Sequence, residues 1–218
     1  MASLPYNFDE RNSQGQVQTS NGIGDVYLSG YYQLINKRKT IDHKLIVQTL
    51  WVGAGIKLPT GKYCAMEKSN SAAESGNQFQ LGTGSTDFTV NGMYDIRLQD
   101  AGISVSASYK MNTANMHEYS YGNKFSINTQ LYHKFNVKGK CTIAPNAGFL
   151  FENAAKDIDR GFVSDISGGK LLMATAGIET NFKHYSVGAN YQLPVSQQLA
   201  AGIIKANNRA MVHISFLL

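Results

Sequence analysis

Residues 87–112 read D-F-T-V-N-G-M-Y-D-I-R-L (87–98), Q-D-A-G (99–102) and I-S-V-S-A-S-Y-K-M-N (103–112). At period two the first run sets Phe88, Val90, Gly92, Tyr94, Ile96 and Leu98 against Asp87, Thr89, Asn91, Met93, Asp95 and Arg97, which is the signature of a strand. The second run sets Ile103, Val105, Ala107, Tyr109 and Met111 against Ser104, Ser106, Ser108, Lys110 and Asn112. The Gln99-Asp100-Ala101-Gly102 connector is short, so the unit is a hairpin with one apolar and one polar face.

The apolar face of such a hairpin rests either on a protein core or on lipid. A soluble sandwich would carry many Lys and Glu on the other face. Here that face carries Ser, Asn, Thr, Asp and an occasional base, the chemistry of an enclosed lumen. Strands of about ten alternating residues with aromatics near the ends match a tilted crossing of a bilayer.

Composition agrees. Only 16% of the 218 residues are charged, while Gly (21), Tyr (12) and Phe (10) are abundant, as in a membrane barrel that confines charge to loops and lumen. No run approaches the roughly eighteen apolar residues of a spanning helix. The net charge of +5 is spread along the chain, which argues against nucleic-acid binding. Cys64 and Cys141 fall in a loop and at a strand start, so a disulfide between them is not expected, and they make no metal site. Met1 to Tyr6 lacks the basic and apolar regions of a signal peptide. An outer-membrane protein needs one, so the expectation is that it has been removed or that the N-terminal part of the chain is missing.

The same pattern recurs along the chain. Residues 1–8 read as a short or partial strand, followed by a polar stretch, Asp9 to Asn21. Residues 24–35 alternate Val26, Leu28, Gly30, Tyr32 and Leu34 with Asp25, Tyr27, Ser29, Tyr31 and Gln33, and Asn36-Lys37-Arg38-Lys39 read as a basic turn. From Leu45 to Leu58 the outward set is Leu50, Val52, Ala54, Ile56 and Leu58, and the inward set is Thr49, Trp51, Gly53, Gly55 and Lys57, with Pro59 ending the strand. Strands follow around 124–132, 142–152, 171–182, 185–193 and 210–218, and Pro194 to Asn208 reads as a loop.

Connectors near 37–44, 99–102, 136–140 and 183–184 are short; those near 9–22, 59–86, 113–122, 153–169 and 194–208 are long. Short turns at one end and long loops at the other are the rule for outer-membrane barrels. The last strand alternates Val212, Ile214, Phe216 and Leu218 to the chain end, as in barrel proteins passed to an outer-membrane insertion machine, although the last residue there is usually aromatic. The expected fold is an all-β, transmembrane, antiparallel up-and-down β-barrel, one domain over 1–218, with about ten strands.

Three short motifs stand at strand ends in order: Gly22-Ile23-Gly24-Asp25-Val26, Leu58-Pro59-Thr60-Gly61-Lys62 and Gln80-Leu81-Gly82-Thr83-Gly84-Ser85-Thr86-Asp87. As an ordered set over most of the chain they resemble the outer-membrane transporters grouped with the phenol meta-pathway (MetA-pathway) proteins, in a Bacteroidota-type form. The resemblance implies a bacterial outer-membrane barrel that passes small, hydrophobic molecules. It also implies further strands upstream of Leu4-Pro5-Tyr6-Asn7, making about twelve in a complete chain. It supplies no catalytic or binding residues.

Read physically, Gly82-Thr83-Gly84-Ser85 is a tight turn folding a long loop over the barrel mouth; it lacks the lysine and following helix of a phosphate loop. The five histidines, His43, His117, His133, His184 and His213, show no metal-ligand spacing, and no cofactor is expected. His213 and Ser215 have the spacing of a lipase pair but point inward, so no enzyme activity is expected. The inward charges, Asp25, Lys57, Asp87, Asp95, Arg97, Lys110, Lys124, Glu152, Glu179 and Arg209, are of mixed sign and should pair within a narrow lumen. A translocation path would be lined by Tyr27, Tyr31, Trp51, Asp95, Arg97, Lys110 and Tyr132. The expected partners are membrane lipid and a small-molecule solute. Thr129, His133 and Pro145 interrupt the outward apolar faces and hint at an outer-membrane protein partner. The alternative to a channel is a closed accessory barrel within a larger outer-membrane complex, since about ten strands barely enclose their own side chains.

Overall fold

A computed structural model describes residues 2–13, 16–63, 80–137, 139 and 141–216. Its strands are β1 Ala2–Ser3, β2 Tyr6–Ser13, β3 Gln16–Ile23, β4 Val26–Ile41, β5 Lys44–Leu58, β6 Asp87–Leu98, β7 Ala101–Met111, β8 Tyr119–Ser120, β9 Lys124–His133, β10 Phe135–Val137, β11 Cys141–Ala154, β12 Ile158–Asp159, β13 Phe162–Val163, β14 Gly169–Asn181, β15 Tyr185–Leu199 and β16 Arg209–Phe216. The main sheet runs β1-β4-β5-β6-β7-β9-β11-β14-β15-β16, every pair antiparallel, with β10 added beside β11. Nine of these strands are long, and each pairs with its neighbour in the chain, the up-and-down order expected.

The sheet curls into a half-barrel. Side chains from β6, β7, β9, β11, β14, β15 and β16 line one cavity on its concave side, which a flat sheet could not arrange. β1 covers only Leu28 and Tyr27 of β4. Among the described residues no strand pairs with the rest of that edge or with the outer edge of β16.

The molecule is inside-out by the standard of a soluble domain. Buried side chains include Asp25, Ser29, Lys57, Asp87, Thr89 and Thr175, all on the concave side or its rim, whereas Tyr32, Phe88, Val90, Phe149, Val212, Ile214 and Phe216 stand exposed on the convex side. A continuous convex apolar surface of this kind suits hydrocarbon, not water.

Glycines on the inner face let aromatic side chains lie flat across the sheet. A Cβ at Gly55 would collide with the Tyr27 phenol, one at Gly53 with the Tyr31 ring, and one at Gly102 with the Tyr132 ring. Each tyrosine thus fills the space left by a missing side chain on the adjacent strand.

Several boundaries differ from the sequence reading. Asn36 to Lys39 continue β4 and do not turn. The turn is Asp42-His43, both in the left-handed region (φ 48° and 63°), a two-residue geometry that fits the strand twist. The polar stretch after Asp9 is a hairpin, β2–β3, forming its own two-stranded sheet. Pro194 does not begin a loop: β15 runs through it to Leu199, with a register shift between Leu172 and Met173 of β14 where Val195 is passed over. Such a bulge is where a proline without an N–H is tolerated. The loops after β7 and β11 are ordered against each other as a small sheet, β13-β12-β8.

Candidate functional site

At the long-loop end the three glycine motifs converge on one carboxylate. Asp25, just before β4, accepts hydrogen bonds from the Gly61 N–H (2.9 Å), the Thr83 N–H (2.9 Å) and the Thr83 hydroxyl (3.0 Å), and pairs with the Lys57 ammonium at 2.8 Å. Lys57 also bonds the Thr83 hydroxyl and reaches Asp87 at 2.7 Å. Asp87, wholly buried, is approached by Lys110 at 3.1 Å and accepts from the Ser85 hydroxyl (2.8 Å) and the Thr113 N–H (3.1 Å). Two lysines and two aspartates balance, so a buried polar knot closes without net charge.

Gly61 and Gly82 make this approach possible. A Cβ on Gly61 would lie 2.8 Å from the Gly82 Cα and 2.9 Å from the Gly24 carbonyl carbon. The glycines of the motifs therefore serve backbone-to-backbone packing, and the amide of Thr83 is spent on an internal carboxylate, not held open for an external anion. Residues 82–85 bend at Gly84, whose φ of 66° is left-handed, while most of the loop they were expected to fold lies outside the described residues.

Burial would push the Asp25 carboxyl up, but the Lys57 ammonium and the Thr83 and Gly61 N–H donors outweigh it and hold its pKa below the ordinary 3.8. A carboxyl held lower in the folded than in the unfolded chain stabilises above the ordinary value, and its contribution is lost as pH falls through the folded one. Protection of the Thr83 and Gly61 amides against hydrogen exchange, corrected for intrinsic rate, should hold constant through neutral and mildly acid pH and collapse only below the ordinary 3.8.

A second rim cluster adjoins the first, since Lys124 of β9 stands opposite Lys110 of β7 in register. Glu152 of β11 pairs with Lys124 of β9 (2.5 Å) and with Arg209 of β16 (3.0 Å), two strands beyond its neighbour β14. Above it, the Asp157 carboxylate accepts from the Tyr119 hydroxyl (2.5 Å) and the Gly122 N–H (2.8 Å), tying the two ordered loops together. Burial, and then the Asp157 carboxylate, push the Tyr119 hydroxyl well above the ordinary tyrosine range.

Of the seven residues expected along a path, Tyr27 accepts a hydrogen bond from Asn91 (3.0 Å), and Tyr31 lines a mid-lumen cavity of about 300 Å³ with Asn91, Ser106, Ser108 and Asn128. Lys110 belongs to the rim knot. Trp51 lies on the concave face of β5, opposite Gln33 and Met93 in register. Asp95 and Tyr132 meet at the short-turn end, both carboxylate oxygens accepting from the phenol at 2.8 and 2.9 Å. Arg97 does not pair with Asp95; it donates to the Gln99 carbonyl. The structure therefore splits the set among the rim, the middle and the far end.

The far end holds a second cavity, of about 430 Å³, bounded by Asp95, Gln130, Tyr132, Glu179, Gln192 and His213 among others. There His213 meets Glu179 at 3.0 Å across β15, over Gly188, where any Cβ would strike both side chains. The sequence reading found neither this pair nor the role of Gly188; the matching inward parity of Glu179 and His213 was the available signal. Ser215 has no hydrogen bond to His213. Among the described residues no group of three or more His, Cys, Asp or Glu could hold a metal ion. Cys141 is a free thiol, and the pairing question with Cys64 lies outside the described residues.

No curated protein matches the chain. A family model described as "Putative MetA-pathway of phenol degradation" matches residues 3–209; the chain's half-barrel of alternating strands is consistent with an outer-membrane barrel protein, and the chain belongs to that family.

Proposed function

We propose that this chain is a channel or transporter of the bacterial outer membrane for small solutes, with no catalytic role. The observation that carries the reading is the continuous hydrogen-bonding inner face: Asn128 lines both cavities, joining the mid-lumen space to the one at the short-turn end. The neutral knot around Asp25 and Asp87 pins the loop of residues 80–86 at the outer mouth, and so sets access.

A second reading has its own observation. His133 and Pro145 are exposed on the convex face, each next in the chain to one of the paired residues Tyr132 and Asn146, and the His133 ring lies tilted against Phe135 with centroids 4.5 Å apart. A polar and a rigid residue side by side on an apolar surface suit contact with another outer-membrane protein, as in an accessory barrel.

Single-channel conductance of the full chain in a planar bilayer tests the choice. Discrete openings are expected, and Lys110→Ala, which removes one positive charge and leaves Asp87 with Lys57 alone, should shift ion preference toward cations; Arg97→Ala should shift it in the same direction. Silence from a folded, inserted protein would favour the accessory reading.

A further inference from the structure

We infer that the solute taken at the short-turn end is uncharged and rich in hydroxyl groups, of mono- to disaccharide size. This deepens the channel reading and rests on it. Side-chain amides are the commonest group lining the cavity there: Asn128, Gln130, Asn146, Asn181, Asn190 and Gln192. An amide offers two donors and an acceptor, the pattern that a hydroxyl, itself donor and acceptor, can satisfy from either direction.

These amides are already fixed in position. Gln130 donates to Asn128 (2.9 Å) and to Thr175 (2.6 Å), and Gln192 donates to Asn190 (3.1 Å). The amides of Asn128, Asn190 and Gln192 each keep donor groups free of these bonds.

The charges around the cavity argue against ionic solutes. Asp95 shares the one Tyr132 hydroxyl proton between its oxygens, Glu179 is held by His213, and the Lys134 ammonium sits 5.4 Å from the centre of the Tyr132 ring. A phosphate or carboxylate would face Asp95 and Glu179, and an ammonium would face Lys134. The lining charges are of mixed sign, and both carboxylates are already engaged, by Tyr132 and by His213, so they repay little of the desolvation of an ion.

A flat aromatic solute fits no better. The Tyr132 ring has Gly102 beneath it and Lys134 over it, so it offers no open stacking face. An apolar solute would also leave amides unpaired. The hydrophobic solute implied by family resemblance is therefore not the one this lumen chemistry selects.

The test is osmotic swelling of liposomes carrying the full chain, with glucose, sucrose, gluconate and glucosamine compared, and ion conductance measured on the same preparation. Glucose entry should exceed that of size-matched gluconate and glucosamine by about tenfold, because the desolvation of either ion is not repaid in the cavity. Asn128→Asp keeps the side-chain volume and adds a charge; it should reverse the order of glucose and glucosamine. Ion conductance without preference for the uncharged sugars would overturn the assignment of solute class while leaving the channel standing. Neither conductance nor swelling from a folded, inserted protein would overturn the channel reading and this inference with it.

Discussion

Lys57→Met should lower the stability of the folded barrel by about 3–5 kcal/mol, the range for removing one partner of a buried ion pair. The effect is expected at the top of that range because two carboxylates share this ammonium: Asp25 at 2.8 Å and Asp87 at 2.7 Å. Asp87 retains Lys110, but Asp25 retains only neutral donors. The chain has a single tryptophan, Trp51, on the concave face of the same strand, so urea unfolding in lipid can be followed by its fluorescence. At the slopes usual for domains of this size the midpoint should fall by about 1 M or more. Adding Asp25→Asn to Lys57→Met should return most of the loss, since the neutral isostere needs no cation and Asp87 keeps Lys110. An unchanged midpoint for Lys57→Met would mean that water already solvates both carboxylates, and the picture of a dry rim knot would fail.

Gly61→Val should release the loop of residues 80–86 from the rim while leaving the sheet intact. The atoms that a Cβ meets at Gly61 belong to backbone, at Gly82, Gly24 and Asp25, and none can swing aside as a side-chain end would. Overpacking of this kind costs about 1–3 kcal/mol. That corresponds to a population of opened rim roughly 5- to 150-fold larger. Limited proteolysis of the reconstituted protein should then cut within 80–86 at a correspondingly raised rate. Gly30→Val and Gly92→Val are the controls: nothing lies within 4 Å of a Cβ at either position, and both should behave as wild type. Equal cleavage of Gly61→Val and the controls would show that the loop is not held by this packing.

The alternation of strands and the sorting of connectors were legible because each long strand has one face toward apolar surroundings and one toward a polar lumen. The β2–β3 hairpin was not, because its residues are largely polar and carry no two-faced pattern; it lies in its own small sheet. Asn36 to Lys39 looked like a turn by charge alone, yet there β4 is already running past the apolar belt, and the true turn residues, Asp42 and His43, carry none of the usual glycine signal. The inward charges were legible as a set expected to pair, and Lys57, Asp25, Asp87, Lys110, Lys124, Glu152 and Arg209 do so. What parity could not supply was the rim's geometry. Thr83 and Asp25 are 58 residues apart, and nothing local in either motif announces the other.

That separation bears on how the molecule assembles. Along the main sheet each long strand pairs with its chain neighbour, and where Gln99-Asp100 or Asp42-His43 connects them, two residues suffice. Such closures are local and fast, whereas a bond across 58 residues must await the strands that bring its ends together. Assembly would therefore run hairpin by hairpin, with the contacts of Asp25 to Gly61 and Thr83 forming late.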